Sequence, residues 1–162
     1  MSELKKIFNP FLENKGRDYQ CFGCSPHNSE GLLMEFYSDG ECVYADWKPR
    51  KHFEGYKNVI HGGIQATLMD EIASWTIYSI VGTAGVTQKM EVNYHRPLFA
   101  NVEYIKIKAT VKNKTSEQAV IKTEIINQKG IVCSSADVAY YLFPLKIAVL
   151  KYHYPGKDAF WK

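Results

Sequence analysis

The sequence predicts an α+β domain in which one antiparallel β-sheet covers a single long helix. Three observations predict this fold. Two extended segments come first, a helical segment of about five turns follows, and four extended segments then succeed one another across short turns. Strands joined by short turns pair antiparallel, and a helix with a wide apolar face buries that face against such a sheet.

The first part of the chain predicts one short helix and two strands. Residues 1–20 predict an amphipathic helix because four apolar side chains fall on one stripe: Leu4, Ile7, Phe8 and Leu12. After a turn-rich stretch, residues 31–37 and 41–48 predict two strands joined by a Ser-Asp-Gly turn. Residues 49–63 hold three glycines and a proline and therefore predict a loop.

The central helix is predicted over residues 64–81, and four strands are predicted after it: 86–95, 102–112, 118–127 and 131–142. The second of these alternates, with Ile105, Ile107 and Ala109 on one face and lysines or threonine on the other. Short polar turns separate the last three strands, which favours a succession of hairpins.

The chain is accordingly divided into three parts. Residues 1–20 form an N-terminal helical segment, residues 21–143 form the main domain, and residues 144–162 form a C-terminal extension. The extension is compatible with a helix, an extra strand or a docked tail.

The central helix has a narrow polar face. At about 100° per residue, one arc collects five side chains with polar groups: Thr67, Asp70, Glu71, Ser74 and Tyr78. The rest of the circumference is almost entirely apolar, so this helix is expected to be mostly enclosed. Burial disfavours a charged carboxylate unless partners compensate. Asp70 is therefore either a functional carboxylate or part of a solvated stripe with Glu71.

His61, Gly62 and Gly63 precede this helix directly. Glycines allow close approach of a ligand to the backbone, and the first N–H groups of a helix lack internal acceptors. These amides also carry the positive end of the helix dipole, so they could stabilise a developing oxyanion, for which a thioester carbonyl is the natural substrate group. Asp70 lies about 10 Å further along the axis, at 1.5 Å per residue. A site completed across a dimer interface would bring the two together.

Composition narrows the range of functions. The 162 residues carry a net charge of +3, which is far from the dense basic surface of most nucleic-acid-binding proteins. No apolar run reaches the length of about 18 residues that a membrane helix needs, and the N-terminus lacks the apolar core of a signal peptide. We therefore expect a cytoplasmic protein with four reduced cysteines and no nucleic-acid or membrane partner.

Three sequence stretches resemble the PaaI-type (phenylacetate-degradation-type) hotdog thioesterases. GYKNVIHGGIQATLMDEIASW at 55–75 matches the HGG-x6-D signature of that family. CFGCSPHNSEGL at 21–32 and VTQKMEVNYHRPL at 86–98 match flanking segments in the same order. The resemblance covers roughly residues 20–142 and implies the hotdog fold, an antiparallel sheet wrapped around one long central helix.

The resemblance also implies a function: hydrolysis of an acyl-CoA, with an aryl or medium-chain acyl group, to free acid and coenzyme A. It implies a homodimer or a dimer of dimers with active sites at the subunit interface, and no cofactor or metal. Gly62 or Gly63 would polarise the thioester carbonyl, and His61 would lie beside it. Asp70 of the partner subunit would act as general base or nucleophile. Thr87 would position water.

Further candidate residues follow from the same comparison. Relatives often carry Asn or Gln where this chain has Gly55, so Asn58 is a candidate substitute. Glu71 competes with Asp70 as the acid, although it points about 100° away. Four cations are candidates for the coenzyme A phosphates, Arg96 first among them: Arg96, Lys89, Lys112 and Lys114.

Several alternatives stay open. His61 could be a plain helix-cap residue. Cys21 and Cys24, with His27 nearby, could bind zinc if Cys42 or a distant histidine added a ligand, but a lone CxxC is weak evidence. The same stretch could form a lid over the acyl pocket. At the level of function, the alternatives are a non-catalytic acyl-CoA sensor and a hotdog dehydratase, which needs a different motif.

Overall fold

The computed structural model describes residues 3–162 and shows one antiparallel sheet around a long helix, as predicted. Its strands are β1 (Lys5–Lys6), β2 (Tyr37–Ser38), β3 (Cys42–Trp47), β4 (Gly85–Tyr94), β5 (Ile105–Lys114), β6 (Gln118–Ile126) and β7 (Val132–Leu142). They lie in the order β1-β2-β3-β5-β6-β7-β4, so the ten-residue strand β4 forms one edge. The helices are α1 (Phe11–Lys15), α2 (Gly62–Thr76) and α3 (Leu145–Tyr152), and α2 continues as a π-helical turn over Ile77–Val81.

The core lies between α2 and the sheet. Leu68 and Ile72 of α2 are fully buried, as are Ile107 and Ala109 of β5. The alternation predicted for this strand is confirmed, because Lys106 between two buried residues is exposed. Burial of a Leu or Ile side chain contributes about 1.5–3 kcal/mol, so this interface fixes the position of α2 and of the polar residues along it.

The N-terminal segment differs from the prediction. The expected helix over 1–20 is wrong in its first half: residues 5–6 form strand β1, and Leu4 is 56% exposed. The helix begins only at Phe11, because Pro10 disfavours helical geometry at Asn9 and suits the start of a helix. Residues 1–2 lie outside the described part of the chain.

The other predicted elements differ mainly at their ends. The strand expected over 31–37 is regular only at Tyr37–Ser38, because Leu32 and Met34 donate their N–H groups to the carbonyls of Phe22 and Gly23 in the preceding turn. The helix predicted from residue 64 begins two residues earlier, at Gly62.

The C-terminal extension forms helix α3 and a further 3₁₀ turn at Lys157–Phe160. It donates three hydrogen bonds to carbonyls at the end of α2: from Tyr154 Oη to Tyr78 (2.8 Å), from Lys157 Nζ to Ile80 (2.9 Å) and from Trp161 Nε1 to Ser79 (3.3 Å). The last carbonyls of a helix lack partners within the helix, so the extension satisfies them and holds this end in place.

Phe160 joins the two ends of the described chain and is fully buried. Its ring packs on Phe11, Trp75 and Tyr78, with centroids 5.7–5.9 Å away, and its carbonyl accepts the Phe8 N–H. We expect Phe160→Ala to lower the free energy of unfolding by about 3–5 kcal/mol, measured by urea denaturation. The control is Phe99→Ala, at a ring that is 52% exposed. Equal stability of the two variants would contradict a structural role for the extension.

Candidate active site

A tight turn brings His61 to the start of α2. Gly55 donates its N–H to the Val59 carbonyl, and a Cβ on Gly55 would lie 3.3 Å from the His61 ring. His61 Nδ1 accepts the Gly63 N–H at 2.9 Å, so the imidazole caps the helix. A neutral imidazole that accepts at Nδ1 carries its proton on Nε2, which leaves a donor on the opposite side of the ring.

The capping contact distinguishes the two glycines. The Gly63 N–H is occupied by His61, whereas the N–H of Gly62, the first residue of α2, has no acceptor within residues 3–162. The Gly62 carbonyl accepts the Tyr94 hydroxyl at 2.7 Å, which fixes the peptide, and a Cβ on Gly62 would touch the tyrosine ring at 3.4 Å. Gly62 is therefore the better placed of the two predicted oxyanion donors.

Gly62 opens onto a cleft of about 710 Å³. The walls are mostly apolar, with His61, Arg96 and His95 as ionisable groups at its border. Gln65 also borders it and is only 4% exposed: its Nε2 donates to the Ile60 carbonyl at 3.0 Å, and its Oε1 has no donor within the described residues. A buried amide oxygen without a donor is costly, so Gln65 is available to accept a hydrogen bond from a ligand.

Asp70 lies on the same helix, where two hydroxyls hold its carboxylate. Thr87 Oγ1 donates to Asp70 Oδ1 at 2.7 Å, and Tyr140 Oη donates to the same oxygen at 2.9 Å. Burial, and then the charge of Asp70, raise the pKa of Tyr140 above its usual range, so this hydroxyl stays a donor. Oδ2 of Asp70 receives no hydrogen bond within residues 3–162 and is free to accept a proton or attack a carbon.

Thr87 reaches Asp70 from the edge strand. The β4–β7 register shifts between Thr87 and Lys89, and a bulge of this kind re-aims the neighbouring side chains. The structure thus brings Thr87 and Asp70 together. The threonine hydroxyl is engaged with the carboxylate, which makes it a group that orients Asp70.

Asp70 and Gly62 do not share a cleft within one chain. Eight residues of helix separate them, or about 12 Å at 1.5 Å per residue, and Asp70 is absent from the residues that line the cleft. The two parts of the predicted site are each well formed but remain separate in one subunit.

The remaining predicted residues fall in different places. Arg96 borders the cleft, and Asn58 does not; Asn58 occupies a left-handed turn position with φ of 63°, which asparagine tolerates. Lys112 pairs with Asp137 at 2.6 Å, which makes it a weaker candidate for a phosphate partner.

Glu71 points away from Asp70, into a separate cluster. Its Oε1 accepts the Trp75 indole N–H at 3.0 Å and the Cys21 thiol at 3.4 Å, and Cys24 Sγ lies 3.2 Å from Cys21 Sγ. Burial raises the pKa of the Glu71 carboxyl to about 8. These three donor groups could hold a metal ion, whereas His27 and Cys42 lie outside the cluster. Glu71 therefore faces this cluster and not the Asp70 carboxylate, and its role as the competing acid stays a prediction.

Sequence reasoning missed Gln65, Tyr94 and Tyr140 as site residues. The only signal for Gln65 in the sequence is that it is a polar residue on the apolar part of α2. Tyr94 lies two residues before Arg96 in the stretch VTQKMEVNYHRPL, where the sequence predicts only Arg96 as a site residue. Tyr140 gave no local signal, because its contact with Asp70 joins residues 70 positions apart.

Two curated relatives match part of the chain. An uncharacterized protein of Schizosaccharomyces pombe is 25% identical over 120 residues, which are 71% of this chain and 66% of that protein. FMP10 of Saccharomyces cerevisiae, named an uncharacterized mitochondrial membrane protein, is 28% identical over 79 residues, which are 47% of this chain and 32% of that protein. The chain thus spans less than two thirds of either relative. Within residues 3–162, no helix is long and apolar enough to cross a membrane.

Solved structures resemble the fold over about two thirds of the chain. The E. coli PaaI protein from the phenylacetic acid degradation operon has a TM-score of 0.62 and 18% identity, over 70% of this chain and 81% of that one. A hypothetical thioesterase of Streptococcus pneumoniae, solved with coenzyme A, has a TM-score of 0.60 and 22% identity, over 65% of this chain and 81% of that one.

The family comparison covers most of the residues of the candidate site. Residues 57–134 match the model of the thioesterase superfamily, a range that includes the capping histidine, all of α2 and strands β4 to β6. The helix surrounded by an antiparallel sheet agrees with the architecture of PaaI. The chain has the hotdog fold, and its residues 57–134 are similar to the thioesterase superfamily.

Proposed function

We propose that this protein hydrolyses acyl-CoA thioesters to a free acid and coenzyme A. The observation that carries the proposal is the Asp70 carboxylate, whose Oδ1 is held by the Thr87 and Tyr140 hydroxyls while Oδ2 stays free. A carboxylate fixed in this way has one oxygen oriented for chemistry. The free Gly62 amide at the start of the same helix is the matching electrophilic group.

The proposed reaction divides between two subunits of a homodimer. The Gly62 N–H of one subunit polarises the thioester carbonyl, aided by the dipole of α2. Asp70 of the partner subunit takes a proton from water, whose oxygen attacks the carbonyl carbon. Collapse of the tetrahedral intermediate breaks the carbon–sulfur bond, and the leaving thiolate receives the proton that Asp70 took from water. In the alternative, the same free oxygen of Asp70 attacks the carbonyl carbon and expels the thiolate, and water then hydrolyses the resulting acyl-aspartyl anhydride to the free acid and the carboxylate.

Substrate binding is proposed at the cleft that borders Gly62. Its apolar walls suit an acyl chain or an aryl group, and Arg96 at its border offers a positive charge for the phosphates of coenzyme A. The buried Gln65 oxygen could accept a hydrogen bond from an amide N–H of the pantetheine arm. The homodimer, or a dimer of dimers, and the cytoplasmic location stay predictions.

The test is thiol release from a panel of aryl-CoA and short-, medium- and long-chain acyl-CoA esters. We expect release above the uncatalysed rate, with the highest kcat/KM for an aryl or medium-chain ester. A heat-unfolded sample is the control. Binding of several esters in calorimetry without thiol release from any would contradict the enzyme and favour the acyl-CoA sensor.

A further inference from the structure

The cluster formed by Cys21, Cys24 and Glu71 has no part in the proposed hydrolysis. Cys21 and Cys24 lie in a turn and Glu71 lies on α2, 50 positions after Cys21 along the chain. Their three donor atoms lie within 4.8 Å of one another. Cys24 is buried, and the Trp75 indole N–H orients the Glu71 carboxylate toward the thiols at 3.0 Å. Three groups that can ligate a metal therefore converge in a partly enclosed place.

The turn is shaped for a close approach to Glu71. A Cβ on Gly23, between the two cysteines, would lie 2.3 Å from Glu71 Cδ, so glycine permits the observed position of the Glu71 side chain. The Ser25 N–H donates to the Cys21 carbonyl, which closes the turn and directs both sulfurs to one side. No Lys, Arg or His side chain within residues 3–162 forms an ion pair with the half-buried Glu71, so its carboxyl has no positively charged partner.

We propose that Cys21, Cys24 and Glu71 bind a thiophilic divalent cation, Zn²⁺ in the first place. Two thiolates and a carboxylate suit zinc, whereas Ca²⁺ and Mg²⁺ require oxygen ligands. Tetrahedral bonds of about 2.3 Å to sulfur and 2.0–2.2 Å to oxygen place the sulfurs about 3.8 Å apart and each sulfur about 3.6 Å from the oxygen. In the cluster the two sulfurs are 3.2 Å apart, and Cys21 Sγ is 3.4 Å from Glu71 Oε1. Small side-chain rotations would lengthen both distances to the values that a zinc site requires.

The fourth coordination position goes to water, since no further His, Cys, Asp or Glu of residues 3–162 joins the cluster. The Tyr19 hydroxyl lies 3.1 Å from Cys24 Sγ and can donate a hydrogen bond to the bound thiolate. A bound cation would link the turn at 21–24 to the middle of α2, next to Asp70. The site is independent of whether the protein hydrolyses thioesters.

The test uses the reduced, metal-free full chain titrated with Zn²⁺ and with Co²⁺. We expect one equivalent per chain, a thiolate-to-cobalt charge-transfer band, and a higher thermal midpoint with Zn²⁺. Cys21→Ser, Cys24→Ser and Glu71→Gln should each weaken binding at least about tenfold, since even outer groups of a metal site contribute 10–100-fold. Glu71→Gln keeps the shape of the side chain, so this variant is expected to fold and isolates the loss of the carboxylate ligand.

The matched control is Cys42→Ser. The Cys42 thiol on β3 contacts Thr110 at 3.5 Å and is remote from the cluster, so this variant should bind as the unmodified chain does. Absence of the cobalt band, or equal weakening by Cys42→Ser, would overturn the site. The site would also be overturned if the reduced chain binds neither metal and glutathione disulfide oxidises Cys21 and Cys24 to an intrachain disulfide. That result would indicate a redox role for the two cysteines.

Discussion

Replacement of Asp70 by asparagine is expected to lower kcat for thiol release by about 10²–10⁴, the usual contribution of a general base. The asparagine oxygen can still accept the hydroxyls of Thr87 and Tyr140, which now hold the carboxylate at 2.7 and 2.9 Å, so the local structure should persist. The amide can neither take a proton from water nor attack a carbonyl. The loss should therefore appear in kcat, with KM nearly unchanged.

The measurement compares kcat and KM for the best substrate of the panel. Asp46→Asn is the matched control, because Asp46 is an exposed carboxylate on β3 that pairs with Lys106 at 4.0 Å. It should retain the full rate. Thiol release by Asp70→Asn at the unmodified rate would show that Asp70 is not the catalytic carboxylate and that a neighbouring acid has to be tested in its place.

Gly62→Pro is expected to lower kcat by about 10²–10³, the usual cost of losing one oxyanion donor. Proline deletes the N–H and is well tolerated at the first position of a helix, which Gly62 occupies. His61 has φ of −55° and ψ of 136°, a geometry that a following proline favours. Gly62→Ala keeps the N–H and adds only an ordinary contact with Tyr94, so it is the matched control and should stay active.

The two inactive variants together test where the site is assembled. In a mixture of Asp70→Asn and Gly62→Pro subunits that exchange freely, half of the dimers are mixed, and one of their two sites is intact. Activity should therefore return to about a quarter of the unmodified value. Mixed dimers, verified by mass spectrometry, that remain inactive would show that Gly62 and Asp70 act within one chain.

Local sequence patterns predicted those helices and strands whose burial is determined by residues close together in the chain. The period of α2 and the alternation of Ile105 and Ile107 report burial directly, and both are confirmed. The different directions of Asp70 and Glu71, about 100° apart, also follow from the helix period. They explain why Asp70 contacts Thr87 and Glu71 contacts Cys21.

Contacts between distant segments could not be predicted in this way. Tyr140 reaches Asp70 and Phe160 reaches Phe11 across long stretches of chain, and neither contact has a local pattern. The hydrogen bond of the Gly63 N–H could not be predicted either, because only the observed rotamer of His61 shows that its Nδ1 accepts this N–H. The sequence therefore named both glycines as donors, and the structure favours Gly62.

The position of β4 at the edge of the sheet has a consequence for kinetics. About every second residue of this ten-residue strand presents its backbone N–H and C=O on the outer side, where they can pair with a second sheet. The strand also carries Thr87, which holds Asp70. If pairing through this edge completes the site, catalysis obeys mass action between protomers. Dilution below the dissociation constant would then reduce the turnover per chain, and saturating substrate that bridges both chains would restore it.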